Sequence, residues 1–141
     1  MLSDYDLSDV LFESRTIAVV GMSDKPARDS YAVACYLKRN GYQVIPVNPN
    51  LTKPVFGLQP CPGLRAIPVP VDIVSVFRRS AFVSEIVTDA IAIGAKAIWT
   101  QLGVIDQEAA RRAQAAGLKV VMDRCIAVEH RRLSRYALAA A

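Results

Sequence analysis

The chain is predicted to form one Rossmann-like, doubly wound α/β domain over residues 1–141, with a five-stranded parallel sheet and helices on both faces. Three observations carry this. Short apolar, β-branched runs alternate with stretches of helical spacing along the whole chain. TIAVV at residues 16–20 is apolar or β-branched at every position and halts at Gly21, as in a strand buried on both faces. Residues 16–50 then read strand, polar loop, helix, glycine, strand, which is a βαβ element.

The elements follow in order. Ser3 or Asp6 can cap a short first helix carrying Leu7, Val10 and Leu11, expected against the sheet edge. After the first strand, residues 30–40 place Val33, Ala34 and Leu37 at helical spacing, and Gly41 suits a helix end. Asp29 is a candidate cap. Residues 42–47 form the second strand, closed by Asn48 and Pro49. Residues 51–70 hold five prolines and two glycines, which excludes a regular crossover helix. A loop is expected there, with one helical turn near Leu64. Val55, Phe56 and Leu58 would either pack within it or cover a ligand.

Residues 71–77 are the third strand, followed by Arg78, Arg79 and Ser80, the last a cap for the next helix. Val83, Ile86, Val87, Ala90 and Ile91 make one apolar stripe, and Gly94 ends it. Ala97, Ile98 and Trp99 are the fourth strand, with Trp99 expected in the core. Asp106 caps a helix over residues 107–116, Gly117 stops it, and residues 120–122 are the fifth strand. Residues 128–133 read as a terminal helix, with a frayed end over residues 137–141.

Composition narrows the function classes. A hydrophobic fraction of 52% with 21% charged residues describes a folded chain with a real core. No apolar run approaches the length of a membrane span, and no basic start with an apolar stretch marks a secretion signal. The net charge of +4 suits an anionic small ligand, and basic patches interleaved with aromatic residues for nucleic acid are absent. Cys35, Cys61 and Cys125 lack C-x-x-C spacing and read as free thiols in a reducing cytoplasm.

The candidate site is the carboxyl edge of the sheet. The loop from Gly21 opens a helix whose first N–H groups are unpaired and carry partial positive charge, a place where phosphates settle. Gly21 lets the backbone approach a ligand, and Ser23 and Lys25 add donors. Arg78 and Arg79, at the end of the third strand, are placed to meet phosphate or ribose. Gln101 leaves the fourth strand at the same edge and can bond a ligand amide. This is not the dinucleotide fingerprint: of G-x-G-x-x-G only Gly21 is present, with Ser23 and Pro26 at the other two positions. The acid wanted after the second strand is replaced by Val47, Asn48 and Pro49. The Walker pattern is missing too.

Four blocks in order resemble a known family: GMSDKPARDSYAVACYLKRNGYQVIPVNP, PVDIVSVFRRS, AIGAKAIWTQLGV and MDRCIAVEHRRL. They are similar to the small stand-alone CoA-binding proteins and to the N-terminal CoA-binding domain of the succinyl-CoA synthetase alpha subunit, over residues 16–133. The resemblance implies a CoA or acyl-CoA ligand held by Gly21, Ser23, Lys25, Asn48, Pro49, Phe77, Arg78, Arg79, Gln101 and Cys125. It places Cys125 near the CoA thiol and the adenine end over the loops after the second and third strands. The chain departs from the family at Ala27, where glycine is common, and at Asp29, where proline is common. The synthetase's phosphorylated histidine belongs to a second domain, so the resemblance implies binding without that reaction.

Other chemistry is scarce. His130 is the only histidine, read as a surface residue beside Arg131 and Arg132, and not on the helical face of Cys125. Neither paired carboxylates nor a metal-ligand cluster is evident. The reading is therefore a binder of a CoA-type small molecule, with no nucleic-acid or membrane partner. Two alternatives stay open: an NAD(P)-dependent oxidoreductase on the same sheet, and a protein-interaction module whose pocket is vestigial because Asp29 repels phosphate.

Overall fold

The structure, a computed structural model, describes residues 2–140, the side chains of residues 136–140 excepted. The terminal helix runs on to Ala140, where a frayed end was expected from residue 137; residue 141 lies outside the described residues. Five strands, β1 (Thr16–Val20), β2 (Gln43–Val47), β3 (Ile73–Val76), β4 (Ala97–Thr100) and β5 (Lys119–Val121), form one parallel sheet in the order β2-β1-β3-β4-β5. Every residue of β1 is buried, as its unbroken apolar run requires. Pro46, which cannot donate to a ladder, sits in the edge strand β2.

Alternation along the strands divides the core into two layers. Ile17, Val19, Ile73, Trp99 and Val121 point to one face, with α1 (Asp4–Phe12), α2 (Asp29–Arg39) and α5 (Ile126–Ala140). Ala18, Val20, Val74, Val76 and Ile98 point to the other, with α3 (Val83–Ala92) and α4 (Gln107–Ala115). Trp99 is fully buried, and its Nε1 donates to the Arg124 carbonyl at 2.9 Å. The connection from β2 to β3 has a single 3₁₀ turn, Leu64–Ala66, among its prolines.

Several local expectations are corrected. The helix α1 is capped by Ser3 in a reciprocal box with Asp6, but it lies in the first-face layer against α5, not at the sheet edge. Its Leu7, Val10 and Leu11 are too apolar a stripe to leave on an edge. Asp29 does not cap α2; it is the first helical residue, and Arg28 at the N-cap makes no side-chain cap bond. Ser80 begins a short 3₁₀ turn, Ser80–Phe82, and its Oγ instead accepts the Ile105 N–H at 3.0 Å. The third strand is shorter than read, because Asp72 turns its carboxylate back to the Arg15 and Thr16 N–H groups at 2.8 and 3.0 Å. Burial pushes the Asp72 pKa up, but these two bonds and Lys96 outweigh it and hold the group below the ordinary carboxylate value.

Candidate functional site

In this strand order β1 leads to β2 on one side and β3 lies on the other. The chain therefore diverges between β1 and β3, and a crevice opens at their carboxyl ends. A cleft of ≈ 610 Å³ occupies that place, within the range of small-molecule sites. Its walls are the loop after β1 (Gly21, Ser23, Asp24, Lys25), the start of α2 (Ala27, Arg28, Asp29, Ser30), the loop after β2 (Asn48, Asn50, Leu51) and Phe77.

Each wall is fixed by a specific bond. The Gly21 N–H extends the ladder by donating to the Val47 carbonyl at 2.8 Å, and the Phe77 N–H donates to the Val20 carbonyl at 2.8 Å. Asn48 spans the two loops: its Nδ2 donates to the Met22 carbonyl at 3.0 Å, and its Oδ1 accepts the Asn50 N–H at 2.9 Å. Buried Ser30 accepts the Ser23 N–H on its Oγ at 2.9 Å, and Ser23 Oγ accepts the Lys25 N–H at 3.1 Å. The α2 terminus has no side-chain cap, so its first N–H groups are left towards the cleft, where they favour an anion. Lys25 and Arg28 share the walls with Asp24 and Asp29, two charges of each sign.

Of the ten residues singled out from sequence, the cleft brings together Gly21, Ser23, Lys25, Asn48 and Phe77. Arg78 lies directly beside it: its side chain packs over Gly21, and its guanidinium stacks 4.1 Å from the Phe82 ring centroid. Arg79 is exposed, with its guanidinium 5.7 Å from the same ring. Pro49 is exposed and adjoins the cleft through Asn48 and Asn50. Gln101 and Cys125 leave β4 and β5 at the same sheet edge but do not line the cleft. Gln101 Oε1 is buried without a hydrogen-bond partner among the described residues. Cys125 is half-buried against the first-face core.

Sequence reasoning missed Arg28, Asp24, Asn50 and Leu51 as cleft residues; a loop position next to a helix start was the only available signal. It also misplaced His130. That ring is 5% exposed, ringed by Phe12, Tyr36 and Tyr42, with Nδ1 2.8 Å from the Tyr36 hydroxyl. Val55 and Phe56 pack on α2 instead of covering the cleft. Val55 is buried, Phe56 meets Tyr31 edge-on at 5.0 Å, and Lys38 Nζ donates to the Phe56 carbonyl at 3.0 Å.

A cleft at the β1/β3 divergence of a five-stranded parallel sheet is a general nucleotide site; the comparison with known proteins narrows it. The family model described as CoA binding domain matches residues 15–131. The chain belongs to the CoA-binding domain family. Within it, the uncharacterised protein YneT of Bacillus subtilis is 37% identical over 128 residues, 91% of this chain and 94% of that protein. A hypothetical protein from Pyrococcus horikoshii OT3 superposes on this CoA-binding domain with a TM-score of 0.91 at 39% identity, covering 94% of this chain and 93% of the other. The ADP-forming acetate–CoA ligase II of Archaeoglobus fulgidus is 30% identical over 97 residues, 66% of this chain but only 14% of the ligase. Among the described residues no helix is long and apolar enough to cross a membrane.

Proposed function

We propose that this chain binds CoA or an acyl-CoA in the cleft between β1 and β3 and performs no acyl transfer of its own. The observation that carries the reading is the uncapped start of α2 on the cleft, where Arg78 beside it adds a cation to the balanced charges of Lys25, Arg28, Asp24 and Asp29. In this reading Lys25 and Arg78 meet the phosphates as charge-assisted donors. The adenine end rests over Asn48, Pro49 and Phe77, with Asn48 shaping the wall, since both ends of its amide are already bonded. The pantetheine arm runs along the sheet edge towards Gln101 and Cys125. The non-catalytic part rests on His130, which is buried and committed to Tyr36 and so is not offered to a ligand.

The test is calorimetric titration of CoA into the parent, Lys25→Ala and Arg78→Ala. A charge-assisted bond is worth roughly 1.5–3 kcal/mol, so each variant should bind about ten- to a hundredfold more weakly. Lys25 is exposed and makes no packing contact with the core, so Lys25→Ala should leave the ligand-free melting temperature unchanged. Parent affinity in both variants would place the phosphates elsewhere.

A further inference from the structure

We propose that the outer face of the α1/α5 layer, which shares no lining residue with the cleft, is an interface with a second copy of this chain. Among the described residues six large apolar side chains are exposed, and Tyr5, Phe12 and Val128 of them lie on α1 and α5. Tyr5 is the most exposed, at 75%. On α5, Val128, Arg131, Arg132 and Arg135 follow the i, i+3, i+4, i+7 spacing of one helix face and line a groove of ≈ 310 Å³. Val128 is the apolar part of this groove; Arg131 already stacks 5.0 Å from the Tyr36 ring and Arg132 pairs with Asp4 and Glu129, which leaves Arg135 to stack on an incoming aromatic ring.

Charge says which ring and which partner. Asp9 of α1 and Glu13 at its C-cap stand one turn apart, and Arg131 and Arg135 stand one turn apart on α5. Among the described residues none of these four makes an ion pair, whereas Asp4 and Arg132, between the two helices, pair at 2.8 Å. Lys96 and Lys119 face Asp9 and Glu13 across a groove, beyond ion-pair distance. The two helices pack side by side, so a twofold axis through the layer sets the acidic helix of each copy on the basic groove of the other. Tyr5 then enters the partner copy's groove, and both contacts form twice, as an isologous dimer requires.

Sedimentation equilibrium of the full chain at low salt tests this. The parent should be a reversible dimer that weakens as salt rises, and Tyr5→Ser should weaken it by about tenfold or more. The double variants D9K/E13K and R131E/R135E should each lose more than about a hundredfold in affinity, because like charges then face each other. Mixed in equal amounts, those two variants should associate again, since every contact in the mixed pair is attractive. Glu13, Arg131 and Arg135 are exposed and Asp9 is half-buried, and circular dichroism of each variant checks that the fold is kept. A parent that stays monomeric to millimolar concentration overturns the proposal. So does a dimer that survives both reversals, or a mixture that stays monomeric.

Discussion

Gly21 is where β1 becomes the cleft, and two separate demands meet there. Its φ is +83°, a conformation that side chains resist, and a Cβ would sit 2.6 Å from the Phe77 carbonyl oxygen and 2.8 Å from Arg78 Cδ. The close approach that sequence reading reserved for a ligand is made by the chain's own Phe77–Arg78 segment. Gly41 offers a control, with φ +92° and nothing within 4 Å of the added atom. Gly41→Ala should cost only the backbone term, about 1 kcal/mol. Gly21→Ala should cost clearly more, about 2–4 kcal/mol, because Phe77 and Arg78 must also move. Thermal melts of the two variants check this, and equal losses would refute the steric part. Arg78 itself was legible as a basic residue at a strand end. Its stacking on Phe82 was not, because no pattern fixes where a long side chain folds.

At the scale of elements, His130 ties three helices together. It stands on α5, touches Phe12 of α1 and Tyr36 of α2, and faces Tyr42 just before β2. Tyr42 is itself anchored, its hydroxyl donating to the Leu11 carbonyl, and burial pushes its pKa up to about 12. Burial first, and the neighbouring Arg131 charge second, hold the His130 pKa below its ordinary value of 6.5. The unfolded chain takes up this proton near pH 6.5, and the folded chain resists it. The stabilisation is therefore complete above pH 6.5 and is lost as pH falls through that value towards the lower folded pKa. Melting temperature should be level from about pH 7 to 8 and decline from about pH 6.5 to 5. The neutral, aromatic His130→Phe should remove much of that decline, and an undiminished decline in the variant would assign it to other groups.

Where an element is marked at both ends by its own residues, sequence was enough. The helix α4 starts at its Asp106 cap, which accepts the Ala109 N–H at 3.0 Å, and ends just before Gly117, and the prolines of residues 51–70 leave one helical turn, at Leu64. The start of α3 and the burial of His130 were not legible, because their partners are distant. Ser80 is claimed by Ile105, 25 residues away, and His130 by Tyr36, 94 residues away.

For the whole molecule, the order of strands decides where a ligand can sit. Parallel pairing and apolar runs announced the sheet, but nothing in residues 48–72 says that the chain crosses β1 to reach β3. That crossing creates the divergence and so the cleft. The cleft lacks both the second and third glycines of a dinucleotide loop and an acid after β2, where Asn48 stands. These absences speak against NAD, and it is membership of the CoA-binding domain family that makes CoA the ligand to test. The most direct measurement is a thermal-shift panel of CoA, acetyl-CoA, NAD, NADP and ATP on the parent chain. CoA at a hundred times its dissociation constant adds about 2.7 kcal/mol, which for a chain of this size raises the melting temperature by about 8 °C, while NAD should leave it unmoved. No shift at millimolar CoA together with a clear shift for NADP would contradict the account.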